Sequence, residues 1–461
     1  MRKHLRLPLL AFAAAAHLLF AGSVSGEPLL WNQPSTELPE WMRNQTIYEV
    51  NVRQYSKAGT FSAVEADLDR LERLGAGVLW FMPIHPIGKV NRKGTLGSYY
   101  SVADYRAVNP EFGTEEDLRS LVDAAHARGM RVILDWVGNH TAWDHPYTRT
   151  HPEYYVRDAD GNFTPPTGTD WTDVIQLNFD HPGVLQFQIE AMRYWVTEFG
   201  IDGFRCDFAR GVPTPFWNAL AAALRETRPD LFLLAEAEEP DHQLHAFHAA
   251  YGWEMMHGFN AIAQGRAPAS HIDDILARQR LRFPAGSDFL YLTSNHDENT
   301  WNGTVFERLG GGAEVFAALT FVLDGIPLVY NGQEAGLEKR LEFFERDPIP
   351  WRDHRLFEVY RTLIDLKKTH PALRTGAPAH RLATTANEAI YALLRGTPEG
   401  PRVLFIGNLT ATDTAVSLGS ELLRGEWTDV FTGETLSLDA NWSLKLQSWK
   451  YRLLQTPRAA D

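Results

Sequence analysis

The chain has 461 residues, 44% of them hydrophobic and 22% charged, which excludes a disordered or low-complexity polymer. Lys and Arg number 44 against 58 Asp and Glu, a formal net charge of −14 that argues against nucleic acid or an anionic membrane as partner. The length admits about two to four domains, or one α/β barrel of roughly 250 residues with additions.

In chain order, Arg2, Lys3 and Arg6 precede an apolar run over residues 7–20, and small residues follow up to Gly26. A basic start, a short apolar stretch and a small-residue exit predict a cleavable export signal over residues 1–26. The run is short for a bilayer span and carries His17, so stable membrane insertion after cleavage is not expected. The destination would be periplasmic or extracellular. Cys206 is the sole cysteine, which rules out an intramolecular disulfide.

From residue 27 onward, apolar runs alternate with amphipathic stretches. Residues 46–52 and 78–84 read as buried strands, with Phe61, Val64, Leu68, Leu71 and Leu74 marking a helix face between them. Leu118, Leu121, Val122 and Ala125 mark another before a strand at 131–137. Further strands are predicted at 202–208, 232–237, 289–293 and 326–330, with the sixth near 253–257 and helices over 184–199, 216–227 and 315–323. The alternation predicts a (β/α)₈ TIM barrel built from residues 27–140 and 181–373. Residues 141–180, polar and rich in Pro, Gly and aromatics, form an inserted lobe after the third strand. Its Trp143, Tyr147, Tyr154, Tyr155 and Trp171 suit sugar stacking or a small core equally. Short strands such as 388–394, 402–408 and 444–453 predict a C-terminal β-sandwich over 374–457.

In such a barrel the active site lies at the C-terminal ends of the strands. The third strand ends Asp135-Trp-Val-Gly-Asn139-His140, the fourth Gly203-Phe-Arg205-Cys-Asp207, the fifth in Glu236, and the seventh runs into Asn295-His296-Asp297. One such acid is most often a helix cap, but four on separate strands point to chemistry. Arg205 and Asp207 are two apart and share a face, so the guanidinium should lower the aspartate's pKa. Glu236 follows Leu233, Leu234 and Ala235, surroundings that should raise its pKa as a general acid requires. Paired carboxylates of this kind serve retaining glycoside hydrolysis. A metal hydrolase using His140, His296 and the acids is the competing reading, but no HxH or HExxH spacing joins them.

These segments resemble the signature regions of the α-amylase family, glycoside hydrolase family 13. Residues 135–140 match its DxxxNH motif, 203–207 its GFRxD motif and 295–297 its NHD motif, with Glu236 at the general-acid position. Residues 100–105 with 112–114, 176–178 and 325–334 resemble its supporting segments in the same order. The resemblance implies Asp207 as nucleophile, Glu236 as general acid/base and Asp297 as the group that binds the sugar's hydroxyls and stabilises the transition state. It further implies a substrate-binding set of Tyr100, His140, Arg205, His296 and Asp135, with Arg205 orienting Asp207 and Asp135 supporting Arg205. Asn139 matches a calcium ligand of the family, so calcium is a possible structural ion, while no cofactor is required for the chemistry. Many members carry a Lys-His pair after the nucleophile, where this chain has Arg210-Gly211. Asp158-Ala-Asp160-Gly-Asn162 lacks the distal glutamate of a calcium loop and reads as a polar turn. The implied activity is retaining cleavage of α-1,4-glucosidic bonds in starch-type glucans, maltooligosaccharides or cyclodextrins. The alternatives are a relative acting on another linkage such as α-1,6, one transferring glucosyl units, and a non-catalytic carbohydrate binder.

Overall fold

The computed structural model describes residues 32–457, so the signal segment 1–26 lies outside the described residues. Eight strands close a barrel in sequential order: β1 (Ile47–Val50), β2 (Val78–Phe81), β3 (Arg131–Val137), β4 (Gly203–Asp207), β5 (Phe232–Ala235), β6 (Ala249–Tyr251), β7 (Asp288–Tyr291) and β8 (Ile326–Tyr330). Every neighbouring pair is parallel, and β8 closes on β1 through Ile47–Leu328 and Glu49–Tyr330.

The alternation of side chains along a strand decides what fills the barrel. Ile47, Val78, Ile133, Phe232, Leu234, Leu290 and Leu328 form a buried cluster inside it. The opposite set, with Leu79, Val132, Leu134, Phe204 and Leu233, packs against the surrounding helices. One helix, Glu115–Ala127, starts at a Thr114/Asp117 capping box and buries Leu118, Leu121, Val122 and Ala125, the face read from the sequence. Near the catalytic end the interior row changes character. Glu49, Trp80, Asp135 and Arg205 are all fully buried there, so the apolar core gives way to a charged layer directly beneath the strand ends.

Three expectations need correcting. The sixth strand is Ala249–Tyr251, and residues 253–257 open a helix, Trp253–Ala263. Met255, Phe259 and Ile262 follow a helical period, and the strand itself is only three small or aromatic residues long, too short to stand out. The helix expected through Phe61 and Leu74 is two, Phe61–Glu65 and Leu68–Leu74. Residues 444–453 do not form one strand. They end one strand, Asn441–Leu446, turn at Trp449 with φ +59, and begin another, Tyr451–Gln455, in a different sheet.

Between His140 and Gln176 the chain leaves the barrel, its two ends paired as antiparallel strands His140–Ala142 and Val174–Gln176. At the C-terminus a six-stranded antiparallel sheet faces a two-stranded ribbon, Thr414–Gly419 with Asn441–Leu446. Ile390, Leu404, Val416, Trp427 and Leu454 are among the residues that fill the space between them.

Candidate active site

The loops at the C-terminal ends of the strands surround a cleft of about 1110 Å³ lined by Tyr100, His140, Asp207, Glu236, His296 and Asp297, among others. Three carboxylates thus arrive from the ends of β4, β5 and β7. Arg205 ties the first two together. Its Nη1 donates to Asp135 Oδ1 at 2.9 Å and to Asp207 Oδ1 at 3.1 Å, while Nη2 lies 2.9 Å from Glu236 Oε1 as an ion pair without an aligned hydrogen bond. Trp80, Tyr100 and Tyr251 surround the guanidinium, with its carbon 5.1, 5.8 and 5.6 Å from their ring centres.

Glu236 is held from a second side. Phe208, the residue after Asp207, takes a left-handed conformation at φ +42, and its N–H donates to Glu236 Oε2 at 2.8 Å. A non-glycine residue there costs about 1–3 kcal/mol, a strain retained where the surroundings over-determine it. Those surroundings are present. Trp171 meets the Phe208 ring edge-on at 4.9 Å, and a Cβ on Gly211 would come within 2.4 Å of the same ring. Glycine at 211 is therefore a steric requirement of the strained turn.

One cation among three acids leaves an excess of negative charge. Burial, and then the charge of Glu236, push the Asp207 carboxyl well above the usual aspartate range in the empty cleft. Arg205 pulls the carboxyl down, as expected, but burial and the neighbouring carboxylates outweigh it, and the guanidinium is shared with Asp135 and Glu236. Asp135 rises to about 6, for burial and against the pull of Arg205. Asp135 and Asp207 therefore both hold their protons more tightly than free aspartates do in the empty cleft. The surroundings of Glu236 differ from the apolar ones that Leu233, Leu234 and Ala235 led us to expect. Its carboxylate faces Arg205 and a backbone N–H and not an apolar pocket.

The two histidines have opposite charge states. Burial lowers His140 to about 4, which leaves a neutral imidazole whose Nδ1 faces Asn139 Nδ2. His296 is also buried, but Asp297 and Glu49 outweigh the burial and raise it to about 9. Its Nδ1 meets Glu49 Oε1 at 2.5 Å and its Nε2 meets the Tyr100 hydroxyl at 2.8 Å.

Of the residues singled out from the sequence, Asp207, Glu236, Asp297, Tyr100, His140 and His296 meet at the cleft. Arg205 and Asp135 are fully buried behind the cleft lining, where Arg205 contacts Asp207 and Glu236 and Asp135 contacts Arg205. Of the five lobe aromatics only Trp171 lines the cleft. Tyr147 and Tyr154 pack on Phe187, and Tyr155 on Phe163. Asp158 is occupied in its own turn, accepting from the N–H groups of Asp160 and Asn162. Glu49 is the residue that sequence reading passed over. It is the one acid in the otherwise apolar run 46–52, and asking of β1 what was asked of the other strand ends would have found it. Trp301, on a short π-helical turn, and Phe343 and Phe344, on the loop after β8, also line the cleft, and these segments carry no periodic signal.

Asn139 does not offer a calcium site. Three oxygens converge near it, Asn139 Oδ1, Asn139 O and Leu177 O, but all three accept from Gln176 Nε2 at 3.1 Å. Asn139 Nδ2 in turn donates to Gln176 Oε1 at 3.3 Å. A hard divalent cation asks for six to eight oxygens including carboxylates, whereas a neutral amide fills this position. Among the described residues, no group of three or more His, Cys, Asp or Glu side chains is disposed to hold a metal ion. Likewise, no described helix is long and apolar enough to cross a membrane.

Comparison with known proteins agrees with this geometry. The sequence model of the family "Alpha amylase, catalytic domain" matches residues 44–352. A solved α-amylase from Lactobacillus plantarum superposes with a TM-score of 0.80 at 33% identity, over 90% of this chain and all of that one. A maltogenic α-amylase, AmyB from Thermotoga neapolitana, gives 0.82 at 28% identity, over 90% and 99%. α-Amylase MalA of Haloarcula japonica is 28% identical over 85% of this chain, which spans 60% of that relative's length. The family match covers most of the barrel and contains Asp207, Glu236 and Asp297. The chain belongs to the α-amylase family through its catalytic domain.

Proposed function

We propose that the protein is a retaining glycoside hydrolase that cleaves α-1,4-glucosidic bonds in starch-type glucans, maltooligosaccharides or cyclodextrins. The observation that carries this is the delivery of Asp207, Glu236 and Asp297 from three different strands into one cleft, the first two joined through Arg205. Maltogenic and other α-amylases among the relatives supply the substrate class.

In this reading Asp207 attacks the anomeric carbon while Glu236 gives its proton to the departing glycosidic oxygen, and a glycosyl–Asp207 ester forms. Water then enters, Glu236 removes its proton, and attack on the same carbon releases Asp207 and a sugar of retained configuration. Asp297 sits against His296, Nε2 to Oδ2 at 3.3 Å, where it can bind sugar hydroxyls as positive charge develops. Export rests on the basic-then-apolar pattern of residues 1–26.

The test is product analysis on soluble starch, pullulan, γ-cyclodextrin and maltotriose, following the first-formed anomer by NMR. Fresh α-anomers from starch or cyclodextrin are expected. β-Anomers would overturn retention. Cleavage confined to the α-1,6 bonds of pullulan, or growth of longer oligosaccharides, would move the assignment to the alternative linkage or to transfer.

A further inference from the structure

Trp301 is 52% exposed, one of five large apolar side chains among the described residues that face solvent. It is also a wall of the cleft. Its ring packs on Phe343 at 5.3 Å and on Phe344 at 6.0 Å. Phe343 lies nearly parallel to Tyr100, 14° apart with centres 6.3 Å apart, and Tyr100 stacks on His296 at 5.5 Å. A continuous aromatic ladder therefore runs from His296 to an exposed indole at the rim.

The ladder is fixed in place by polar contacts. Trp301 sits on a π-helical turn, Glu298–Asn302, and Phe343 on the loop after β8. Asn299 joins the two, donating to Lys339 O at 3.1 Å and accepting from Leu341 N at 2.9 Å, and Thr300 Oγ1 donates to Leu341 O at 2.9 Å. The loop after β2 completes the wall, with Leu96 N donating to Phe344 O at 3.0 Å. An indole left in water on such a rigid mount suits the apolar face of a pyranose ring.

Barrel order gives the wall a direction. Glu236 must stand beside the leaving group, and its strand β5 lies between β4 and β6. The loops that carry Trp301, Phe343 and Leu96 follow β7, β8 and β2, on the Asp297 side of the cleft. We propose that Trp301, mounted on Phe343 and Phe344, is a stacking subsite for a glucosyl unit on the glycone side of the scissile bond, beyond the unit that is cleaved. The proposal rests on the glucan-cleaving reading and adds to it a dependence on chain length.

The test uses Glu236→Gln to stop turnover, with and without Trp301→Ala, and measures binding of maltotriose and maltohexaose by calorimetry. Trp301→Ala should weaken maltohexaose about five- to tenfold and maltotriose less than about twofold, with Trp301→Phe restoring most of the loss. Equal weakening of both sugars, or of neither, would overturn the subsite. Rates with Glu236 intact separate the two claims. If the wild type cleaves both sugars and Trp301→Ala leaves their rate ratio unchanged, the subsite falls and the function stands. A folded wild type inactive on every glucan, whose Glu236→Gln form still loses maltohexaose on Trp301→Ala, would sink the hydrolase reading and keep the subsite.

Discussion

Glu49 Oε1 lies 2.5 Å from His296 Nδ1, with both side chains buried at the mouth of the barrel. The carboxylate comes from β1 and the imidazole from the segment after β7, so the pair crosses the β8 strand that separates them. Asp297, Asp135, Tyr100, Arg205, the Trp80 edge and the Phe343 ring also surround the histidine. Of these Arg205 opposes the proton and Asp297 favours it.

The pair yields a pH prediction. Burial disfavours the charge on His296, but Asp297 and Glu49 raise its pKa from 6.5 to about 9. The favourable contribution of that charge is therefore complete below about pH 6.5 and is lost as pH rises through about 9. Glu49→Gln removes one of the two supporting charges and should move the titration down by one unit or more. At pH 8 the protonated fraction would then fall about tenfold for a two-unit shift, and kcat/KM with it, while rates near pH 5.5 change little. The check is the pH profile alongside histidine NMR titration. An unmoved imidazole titration in a folded Glu49→Gln protein would dissolve the link.

The Asp207–Glu236 pair predicts a split between two kinds of substrate. Glu236→Gln removes the proton donor and should cost about 10²–10⁴ in kcat on starch or maltooligosaccharides, where the leaving group needs protonation. An activated substrate such as α-glucosyl fluoride needs no such help, so glycosylation of Asp207 should proceed and the ester should accumulate, detectable by mass spectrometry. Asp207→Asn should abolish both reactions with circular dichroism unchanged. Accumulation of the ester in Asp207→Asn would place the nucleophile elsewhere.

The barrel and the acids that meet at its cleft were legible because each signal is local. Leu118 through Ala125 repeats every three to four residues, and the apolar runs of the fourth and fifth strands stop at Asp207 and Glu236. Charge states were not legible, because they depend on partners far apart in sequence. Arg205 was expected to lower Asp207, but in space it also serves Asp135 and Glu236. Ala249–Tyr251 carried too few residues to show a period. Trp301 and Phe343 meet only through loops held together by Asn299 and Leu341, a contact that no spacing rule encodes.

Gln176 predicts indifference to chelators. Its NH2 group, with two hydrogens shared among the three oxygens beside Asn139, already stands where a cation would, so EDTA should leave the melting temperature and kcat of the wild type unchanged. Gln176→Glu would set a carboxylate against those oxygens. That variant should melt several degrees lower in EDTA and recover with millimolar calcium, since a bound ion adds about 2.7 kcal/mol at one hundred times its Kd. A wild type that loses stability in EDTA would show that a cation is held elsewhere.

Asp202 predicts acid behaviour at the opposite end of the barrel, away from catalysis. It is fully buried at the start of β4 and accepts from His126 at 2.8 Å, Arg131 at 2.8 Å, Arg228 at 2.6 Å and the Val132 N–H at 2.8 Å. Burial raises its pKa, but these partners together outweigh it and the net shift is downward. Its contribution to stability is therefore present above the ordinary aspartate pKa and lost as pH falls through the lower folded value. Asp202→Asn leaves two arginines facing a neutral amide and should cost about 3 kcal/mol at pH 7. The cost should shrink in strong acid, where the wild-type carboxylate is itself protonated. Denaturant melts at pH 7 and pH 3, with activity measured on the folded variant, test this. A cost that stays constant with pH, or a loss of kcat in the folded state, would show that Asp202 does something other than hold the lower rim of the barrel.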